Sequence, residues 1–398
     1  MKLDVIDYVY NKGLPDEWRV EECRLSKINL IVGKNASGKS RILRAIHTLS
    51  ELLSASGSLA PQPKRYEWRL QFDTDLPEQK TEYILKIEKG FVIKEKLIIG
   101  IESDNPLLDR DESGEGTIFA KKINQKIDFQ TDKTELAVVK RRDSIQHPFL
   151  ENLYQWSSSL RFYEFGSQLG KNMIARIPST MELLKNTTDF KDSDFVVGIF
   201  VIGKQEIGDA FIEAILSDMR KIGYELSDID TKVPSLLINP DISAVDSPDN
   251  LPQFLYIQEK DLTSVTEQSE MSQGMFRALS LLIQINYSLL ASKPSCIVID
   301  DIGEGLDYQR SSSIIKILID KAQTGLIQLI MTTNDEFIMN GVPIEYWSLI
   351  ERTPGSAKLH NIYNSRDKIE EFKFIGLNNF DLFTSEFLLQ KEGDEEAA

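Results

Sequence analysis

Two glycines, a lysine and a serine stand at fixed spacing in the stretch Gly-Lys-Asn-Ala-Ser-Gly-Lys-Ser, residues 33–40. Glycines let backbone N–H groups surround a phosphate group, and the dipole of a following helix adds attraction. In this pattern Lys39 contacts the β- and γ-phosphates, and the Ser40 hydroxyl binds Mg²⁺. We therefore predict a complete phosphate-binding loop for ATP. The predicted nucleotide-contacting residues are Gly33, Lys34, Asn35, Ala36, Ser37, Gly38, Lys39, Ser40 and Arg41.

A pair of carboxylates follows a short apolar run near residue 300. Residues 296–299 read Cys-Ile-Val-Ile, and Asp300 and Asp301 come directly after them. A phosphate-binding loop works with a second strand that ends in a carboxylate, which holds the metal ion. We predict that Asp300 holds Mg²⁺, directly or through water, and that Asp301 lies near the attacking water. The alternative is a buried strand that simply ends at solvent.

Two further stretches flank these carboxylates. Ser272-Gln273-Gly274 stands at the start of a predicted helix, and Gly303-Glu304-Gly305-Leu306-Asp307 follows the carboxylate strand. A hydroxyl, free backbone N–H groups and the helix dipole together make an anion site at the first stretch. Since the chain already has its own phosphate-binding loop, a second anion site makes sense if two chains pair head to tail. Each chain would then close the nucleotide site of the other.

The order GKNASGKS, SQGMFRAL and CIVIDDIGEGLD resembles the ATP-binding-cassette (ABC) ATPases of the SMC and Rad50 kind. It is most similar to the bacterial AAA15/AAA_21 group, found among phage-defence and overcoming-lysogenization-type proteins. The stretches at 332–343 and 372–381 are also similar to that group. The resemblance covers roughly residues 1–50 and 250–385. It implies an α/β fold, an ABC-type P-loop ATPase head with an antiparallel β lobe and a helical insertion, which uses ATP and Mg²⁺.

The resemblance also assigns roles to particular residues. Its phosphate-binding (Walker A) positions are Gly33, Asn35, Gly38, Lys39 and Ser40, and its Walker B position is Asp300. Its signature motif, which reaches the ATP of a partner chain, corresponds to Ser272, Gln273 and Gly274, and its D-loop to Leu306 and Asp307. The Q-loop glutamine stays open between Gln155 and Gln168.

Two positions depart from the family pattern. The family usually has Glu after the Walker B aspartate, whereas this chain has the shorter Asp301, with Glu304 as a possible substitute. At the switch-histidine position it has Asn334, whose amide can hydrogen-bond a γ-phosphate but cannot become cationic. We therefore expect slow turnover and a long-lived ATP-bound dimer.

Apolar spacing predicts the elements that position these residues. A strand at 28–32 precedes the phosphate-binding loop, and apolar residues at helical spacing follow it to residue 53. Short alternating bursts predict an antiparallel sheet over 66–138. A helix is expected at 273–290 with Ser272 as its N-cap, and strands at 296–300 and 326–331 flank a helix at 308–323. That strand–helix–strand order predicts a parallel α/β core.

The motifs and the changes in composition suggest a division of the chain. We expect an N-terminal ATPase lobe at 1–165 and a helical insertion at 166–235. A C-terminal ATPase lobe at 236–385 and an acidic tail at 386–398 would follow.

Charge and cysteine content narrow the class of protein. The net charge is −16, which argues against a surface built for duplex DNA, and Lys140-Arg141-Arg142 is the densest basic cluster. The two cysteines lie far apart in sequence, the start lacks a signal-peptide core, and no apolar run would span a membrane. We expect a cytoplasmic protein without a zinc site.

Three functions remain open on this basis. The chain could be a nucleotide-gated sensor or scaffold in anti-phage defence, a homodimer or higher homo-oligomer that controls an effector, a nuclease or toxin encoded nearby. It could instead be an SMC/RecF-like ATPase that clamps DNA, which would need a basic inner surface or a coiled coil. A self-contained nuclease or kinase is the third; a nuclease of this family would carry an extra acidic metal-binding domain after the ATPase, and we do not expect one after Asp381.

Overall fold

The computed structural model describes residues 1–55, 57–59, 62–73, 80–100, 105–178, 181–187, 190–233, 252–293 and 295–389. The chain divides into two compact units. Unit 1 comprises Met1–Leu160 together with Pro343–Ala398, and unit 2 comprises Arg161–Val342. The predicted acidic tail lies, from residue 390 onward, outside the described residues. The lobe boundaries predicted from the sequence remain predictions.

The elements follow one another in three segments of the chain. Residues 1–160 form β1 (Lys2–Tyr10), β2 (Trp18–Arg24), β3 (Ile28–Val32), α1 (Lys39–Leu53), β4 (Arg65–Asp73), β5 (Thr81–Glu88), β6 (Phe91–Ile99), β7 (Leu108–Arg110), β8 (Glu115–Ala120), β9 (Gln125–Gln130), α2 (Ala137–Lys140) and α3 (Phe149–Ser159). Residues 161–342 form β10 (Arg161–Glu164), β11 (Ala175–Arg176), α4 (Met181–Thr187), α5 (Val196–Ile207), α6 (Asp209–Ile222), β12 (Leu226–Lys232), β13 (Pro252–Glu259), β14 (Thr266–Glu267), α7 (Gln273–Leu290), β15 (Ser295–Asp300), α8 (Tyr308–Gln323), β16 (Ile327–Thr332) and α9 (Glu336–Gly341). Residues 343–389 form β17 (Trp347–Thr353), β18 (Ser356–Asn361), α10 (Arg366–Ile375), α11 (Asn379–Thr384) and short 3₁₀ turns at Ile344–Tyr346 and Phe387–Leu389.

Unit 1 is built on a mixed sheet. Strand β3 pairs in parallel with β17, β17 pairs antiparallel with β18, and β18 pairs in parallel with β2. From β2 the sheet continues antiparallel through β1 and β4 to β9. Strand β5 alternates buried and half-buried residues, as expected when one face of an antiparallel sheet packs on a core. The antiparallel sheet predicted within 66–138 is therefore confirmed for the described residues.

A buried ion pair fixes the far part of this sheet. Glu95 of β6 and Arg110 of β7 lie 3.5 Å apart between Oε2 and Nη1, and both side chains are fully buried. Glu95 also accepts hydrogen bonds from the backbone N–H groups of Ala137 and Val138, at 2.7 and 3.0 Å, and from the Tyr83 hydroxyl at 3.1 Å. The pair therefore attaches the start of α2 to the sheet.

Unit 2 holds the parallel core. Strand β15 pairs in parallel with β10 on one side and β16 on the other, and every residue of β15 and β16 is buried. Helix α8 connects β15 to β16, so the predicted strand–helix–strand order is confirmed. Helices α5 and α6 pack against α7, which starts at Gln273 as predicted. Strand β13 pairs with β11, β12 and β14 in a small antiparallel sheet.

Both cysteines are free thiols inside the core. Cys23 of β2 and Cys296 of β15 are 0% and 1% exposed. Burial raises the pKa of the Cys23 thiol far above its usual range, and it raises the pKa of Cys296 to about 12. Thiolate formation, and with it thiol chemistry, is therefore suppressed at neutral pH. Separately, none of the helices in the described part of the chain is long and apolar enough to cross a membrane.

Candidate nucleotide site

The turn between β3 and α1 requires glycine at two positions. A Cβ on Gly33 would lie 2.2 Å from Ile350 Cγ2 and 2.9 Å from Ser37 Oγ. Gly38 has a φ of +110°, which L side chains rarely adopt, and a Cβ there would lie 3.0 Å from Trp18 Cζ2. The close approach of β17 and of Trp18 to the turn thus leaves room only for backbone, as a phosphate cradle requires.

The lysine of the loop is turned inward. Lys39 is 6% exposed, and its ammonium donates to the Gly33 carbonyl at 2.7 Å and to the Lys34 carbonyl at 3.4 Å. Ser37 is 5% exposed, and its Oγ has no hydrogen-bond partner among the described residues. An ammonium group, an unpaired hydroxyl and the N-terminus of a 15-residue helix are donors that fit phosphate oxygens.

A pocket of about 510 Å³ opens beside the loop within unit 1, a size typical of small-molecule sites. Arg352 at the end of β17 donates to the Ala36 carbonyl at 2.6 Å, and Lys34 forms an ion pair with Glu386. Arg41 is exposed, and its guanidinium carbon lies 5.5 Å from the centre of the Trp18 ring. The pocket is lined by Gly33, Lys34, Asn35, Ala36, Ser37, Leu349, Ile350, Glu351, Arg352, Phe383, Glu386 and Leu389.

In unit 2 a threonine hydroxyl connects the Asp300 carboxylate to the backbone of Asp301. Asp300 ends β15 and is 8% exposed, and its Oδ1 accepts a hydrogen bond from Thr332 Oγ1 at 2.6 Å. The same Oγ1 accepts from the backbone N–H of Asp301 at 2.9 Å. Asp301 has a φ of +54°, so the chain turns sharply after the strand. Sequence reasoning missed Thr332, which β15–β16 pairing places there.

The two departures from the family pattern contact each other. Asn334 Nδ2 donates to Asp301 Oδ1 at 3.0 Å, and both side chains are accessible to solvent. Glu304, the possible substitute, is directed elsewhere, since its carboxylate lies against the backbone of Gly166. The structure thus brings Asp301 and Asn334 together and places Glu304 at a different loop.

The strand next to β15 contributes an acid that sequence reasoning missed. Glu164 ends β10 in register with Asp300, and the backbone N–H of Phe165 donates to the Asp300 carbonyl at 3.0 Å. The aromatic pair Phe162-Tyr163 before Glu164, with Gly166 two positions after the acid, was the available signal. Of the two Q-loop candidates, Gln168 follows β10 closely and is exposed, and Gln155 is exposed on α3 in unit 1. Their assignment stays open.

The predicted signature residues start helix α7 as expected. Ser272 is the N-cap, and its Oγ accepts from the backbone N–H of Met275 at 3.3 Å. Gln273 Nε2 donates to the Ser167 carbonyl at 3.1 Å. A Cβ on Gly274 would lie 2.9 Å from the Gly305 carbonyl oxygen, so the signature turn packs directly on the predicted D-loop.

A tyrosine connects the signature serine to the D-loop aspartate. Asp307 is the N-cap of α8 and accepts from the Arg310 backbone N–H at 3.0 Å, which lowers the pKa of its carboxyl. The Arg310 guanidinium pairs with Asp307 and stacks on the Tyr224 ring, 4.5 Å from its centre. Burial raises the pKa of the Tyr224 hydroxyl, and a hydrogen-bonding interaction with the Ser272 side chain partly offsets that rise. Sequence reasoning missed Tyr224 and Arg310 because they lie outside any motif.

Family comparison decides the class. The family described as "AAA domain, putative AbiEii toxin, Type IV TA system" (AAA_21) matches residues 28–340. The chain belongs to the AAA_21 family. The matched range begins at β3, before the phosphate-binding loop, and ends in α9, after Asn334. No curated protein matches this AAA_21 chain.

Solved structures show which fold this AAA_21 protein has. One similar structure is an Smc head bound to the C-terminal winged-helix domain of ScpA, with a TM-score of 0.53 and 13% identity over 90% of this chain and 97% of that one. Another is an Smc head domain with an extended coiled coil, bound to the C-terminal domain of ScpA from Pyrococcus furiosus, with a TM-score of 0.51 and 13% identity over 94% and 99%. The fold is that of an ABC-type ATPase head, as the sequence predicted.

Proposed function

We propose that this chain binds ATP and hydrolyses it slowly. The observation that carries the proposal is the inward-turned Lys39 in a loop whose Gly33 and Gly38 leave no room for a side chain. A buried ammonium that donates to backbone carbonyls of its own loop is well placed to exchange them for phosphate oxygens. The adjacent pocket supports a small-molecule ligand at the same loop.

We propose Asp300 and Ser40 as the Mg²⁺ ligands, since a carboxylate and a hydroxyl are oxygen ligands of the kind that Mg²⁺ takes beside phosphate oxygens. When bound, Mg²⁺ would neutralise charge on the phosphates. Thr332 orients the Asp300 carboxylate through its 2.6 Å hydrogen bond. Asp301 is the residue that we expect to orient the attacking water, and Asn334 donates a hydrogen bond to its carboxylate. Because the Asp301 carboxylate accepts a hydrogen bond from the Asn334 amide, it is a weaker base, which agrees with slow turnover.

We further propose that two chains dimerise around ATP. Ser272 and Asp307 are exposed, and the half-buried Gly274 packs on the Gly305 carbonyl in the loop after β15. The N-terminus of the 18-residue helix α7 therefore presents backbone N–H groups toward solvent as an anion site. In this scheme the γ-phosphate on one chain is covered by the signature of the other. ATP binding then closes the dimer and hydrolysis releases it.

The role of this closure is proposed as nucleotide-gated control of an effector protein in anti-phage defence. The family description, which includes a putative toxin of a type IV toxin–antitoxin system, supports a defence context. The net charge of −16 supports a protein partner over a duplex. Co-purification of the ATP-bound protein with products of neighbouring genes tests this role, and recovery of no partner in either nucleotide state would contradict it.

The ATPase proposal is tested by mass measurement. With ATP, and with Asp301→Asn to slow hydrolysis, the particle should move from 45.3 kDa to twice that mass. Lys39→Ala should bind no ATP and stay at the smaller mass. Lys94→Ala, a lysine paired with Asp109 in the antiparallel sheet, is the matched control and should behave as the unmodified chain. A mass that does not respond to ATP would overturn the dimer.

A DNA-clamping ATPase is the second candidate, favoured by the fold shared with Smc heads. Such a protein would bind duplex DNA with an affinity that falls steeply as salt increases. Measured binding of a fluorescent duplex between 50 and 200 mM salt separates the two roles. Strong, salt-dependent and ATP-stimulated binding would replace the effector proposal.

A further inference from the structure

Arg277, one turn into α7, connects its own helix to two loops of unit 2. Its Nε donates to the Ser167 carbonyl at 2.9 Å, its Nη1 donates to the Glu304 carbonyl at 2.8 Å, and its Nη2 donates to the Gly166 carbonyl. The side chain is 7% exposed. One guanidinium therefore connects the signature helix, the loop after β10 and the loop after the Asp300–Asp301 carboxylates.

The acceptors used by this guanidinium are unusual for a buried cation. All three hydrogen bonds end on backbone carbonyls, which carry no charge to offset the loss of hydration. Burial lowers the pKa of Arg277, and the negative charge of Glu304 partly offsets that change. A planar fork of donors can satisfy several carbonyls at once in a fixed geometry, which an ammonium group cannot do. This arrangement is suited to holding three backbone segments in fixed positions relative to one another.

The packing around Arg277 leaves little freedom for the loops to drift. A Cβ on Gly305, whose φ is +81°, would lie 2.7 Å from Arg277 Nη1. A Cβ on Gly166 would lie 2.2 Å from Glu304 Oε2, and one on Gly274 would lie 2.9 Å from the Gly305 carbonyl oxygen. Backbone thus meets backbone at Gly274, while at Gly305 and Gly166 the glycine backbone packs on the side chains of Arg277 and Glu304. Arg277 lies at the centre of these contacts. The position of Ser272–Gly274 relative to Leu306–Asp307 therefore depends on its side chain.

We propose that Arg277 is a positioning residue that sets the signature turn and the D-loop as one rigid surface for the ATP of a partner chain. The inference rests on the proposed ATP-dependent dimer. Arg277 acts through Gly166, Ser167 and Glu304, and it has no role in binding nucleotide at the phosphate-binding loop of its own chain. Its loss should leave ATP binding intact and disable closure and turnover.

Two substitutions test the proposal. Arg277→Met keeps the apolar stem and removes all three hydrogen bonds, while Arg277→Lys keeps the charge but not the fork. The Kd of fluorescent ATP, measured on protein dilute enough to be monomeric, should change less than about twofold, since the affected groups share no partner with residues 33–40. The kcat at saturating ATP should fall by about 100-fold, the loss expected for misplaced reacting groups. Arg277→Lys should retain only a minor part of the kcat that Arg277→Met loses.

Mixing variants separates positioning in trans from a general structural role. In a mixed dimer of Arg277→Met and Lys39→Ala, one composite site combines an intact phosphate-binding loop with an intact Arg277. The mixture should therefore regain turnover that neither variant shows alone, by a factor of about 10 or more. Regained turnover would also prove that Arg277→Met is folded; if it melts below the assay temperature, Arg277→Lys takes its place.

Three results would overturn the proposal. Normal ATP-dependent dimerisation and kcat in Arg277→Met would show that the contacts are dispensable. A folded, ATP-binding Arg277 variant that Lys39→Ala cannot complement would show that Arg277 acts within its own site. If the unmodified chain itself does not dimerise with ATP, both this inference and the proposed dimer fall, and nucleotide binding is then judged separately from the Kd of Lys39→Ala.

Discussion

The side-chain amide of Asn334 donates a hydrogen bond to Asp301 Oδ1 at 3.0 Å. These are the two positions at which the sequence departs from the Glu and His pattern of the ABC-type ATPases that it resembles, and the structure places the two departures in direct contact. Thr332 holds the backbone of Asp301 at 2.9 Å. A short acid and a neutral amide thus form one unit at the end of β15.

Replacing the acid should abolish turnover without weakening nucleotide binding. We expect Asp301→Asn to lower kcat by about 10²–10⁴-fold, the range for loss of a general base, and to prolong the life of the ATP-bound dimer. Single-turnover hydrolysis and dimer mass over time measure both effects. Asp301→Glu, which restores the extra methylene, should raise kcat above that of the unmodified chain. An unchanged kcat in Asp301→Asn would remove this residue from the chemistry.

The amide should also determine the pH profile. Asn334 cannot ionise, whereas His in Asn334→His titrates near pH 6.5. Because the cationic form attracts a γ-phosphate, kcat of Asn334→His should be highest below that pH and should fall as pH rises through it. The kcat of the unmodified chain should not show this fall between pH 6 and 8. Identical profiles for the two proteins would show that residue 334 does not reach the phosphate.

Removing one hydroxyl should loosen the dimer. Tyr224→Phe keeps the ring on which Arg310 stacks and deletes the hydrogen bond to Ser272. A lost hydrogen bond of about 1 kcal/mol predicts a dimer that forms roughly fivefold more weakly with ATP. Analytical ultracentrifugation with Asp301→Asn in the background measures it. Tyr256→Phe, on β13, is the control, and an equal effect there would show that the loss is not specific to Ser272.

Breaking the buried pair in the antiparallel sheet should destabilise unit 1 strongly. Arg110→Met leaves Glu95 buried without its cation, which predicts a loss of about 3–5 kcal/mol in the free energy of unfolding. The double variant Glu95→Gln with Arg110→Met should recover much of that loss, because no buried charge remains. Urea unfolding of the four proteins gives the cycle, and additive losses would show that the pair is not coupled.

The same pair gives a pH dependence with a definite sign. Burial raises the pKa of Glu95 in the folded protein. A raised folded-state pKa means that the carboxyl favours stability below its unfolded-state pKa and reduces it as pH rises through the folded value. Without Arg110 that reduction should grow. Arg110→Met should therefore lose stability relative to the unmodified chain as pH rises from 5 toward 8.

Local signals predicted the elements and the loop, but not the contacts between distant segments. The strand at 28–32, the loop at 33–40 and the N-cap Ser272 each follow from a few neighbouring residues, and the structure has all of them. Thr332 was missed because only the pairing of Ile299 with Met331 brings its hydroxyl to Asp300. The register of β15 and β16 cannot be read from either strand alone.

Arg277 shows the same limit at a single side chain. Helical spacing placed it in the first turns of α7, but its acceptors Gly166 and Glu304 lie 111 and 27 positions away in sequence. Tyr224 likewise interacts with Ser272, although the two residues are far apart in sequence and Tyr224 belongs to no motif. Such contacts depend on tertiary packing, whereas a phosphate-binding loop is encoded in eight consecutive residues.

The burial of both native thiols makes this chain convenient for chemical cross-linking. Cys23 and Cys296 are shielded in the core, so neither has to be removed before a reactive cysteine is introduced. In a mixed sample, one chain would then carry Ser272→Cys and the other Asn35→Cys. The two introduced cysteines would be the accessible thiols. A disulfide that forms between them only in the presence of ATP would capture the closed pair covalently and report its geometry directly.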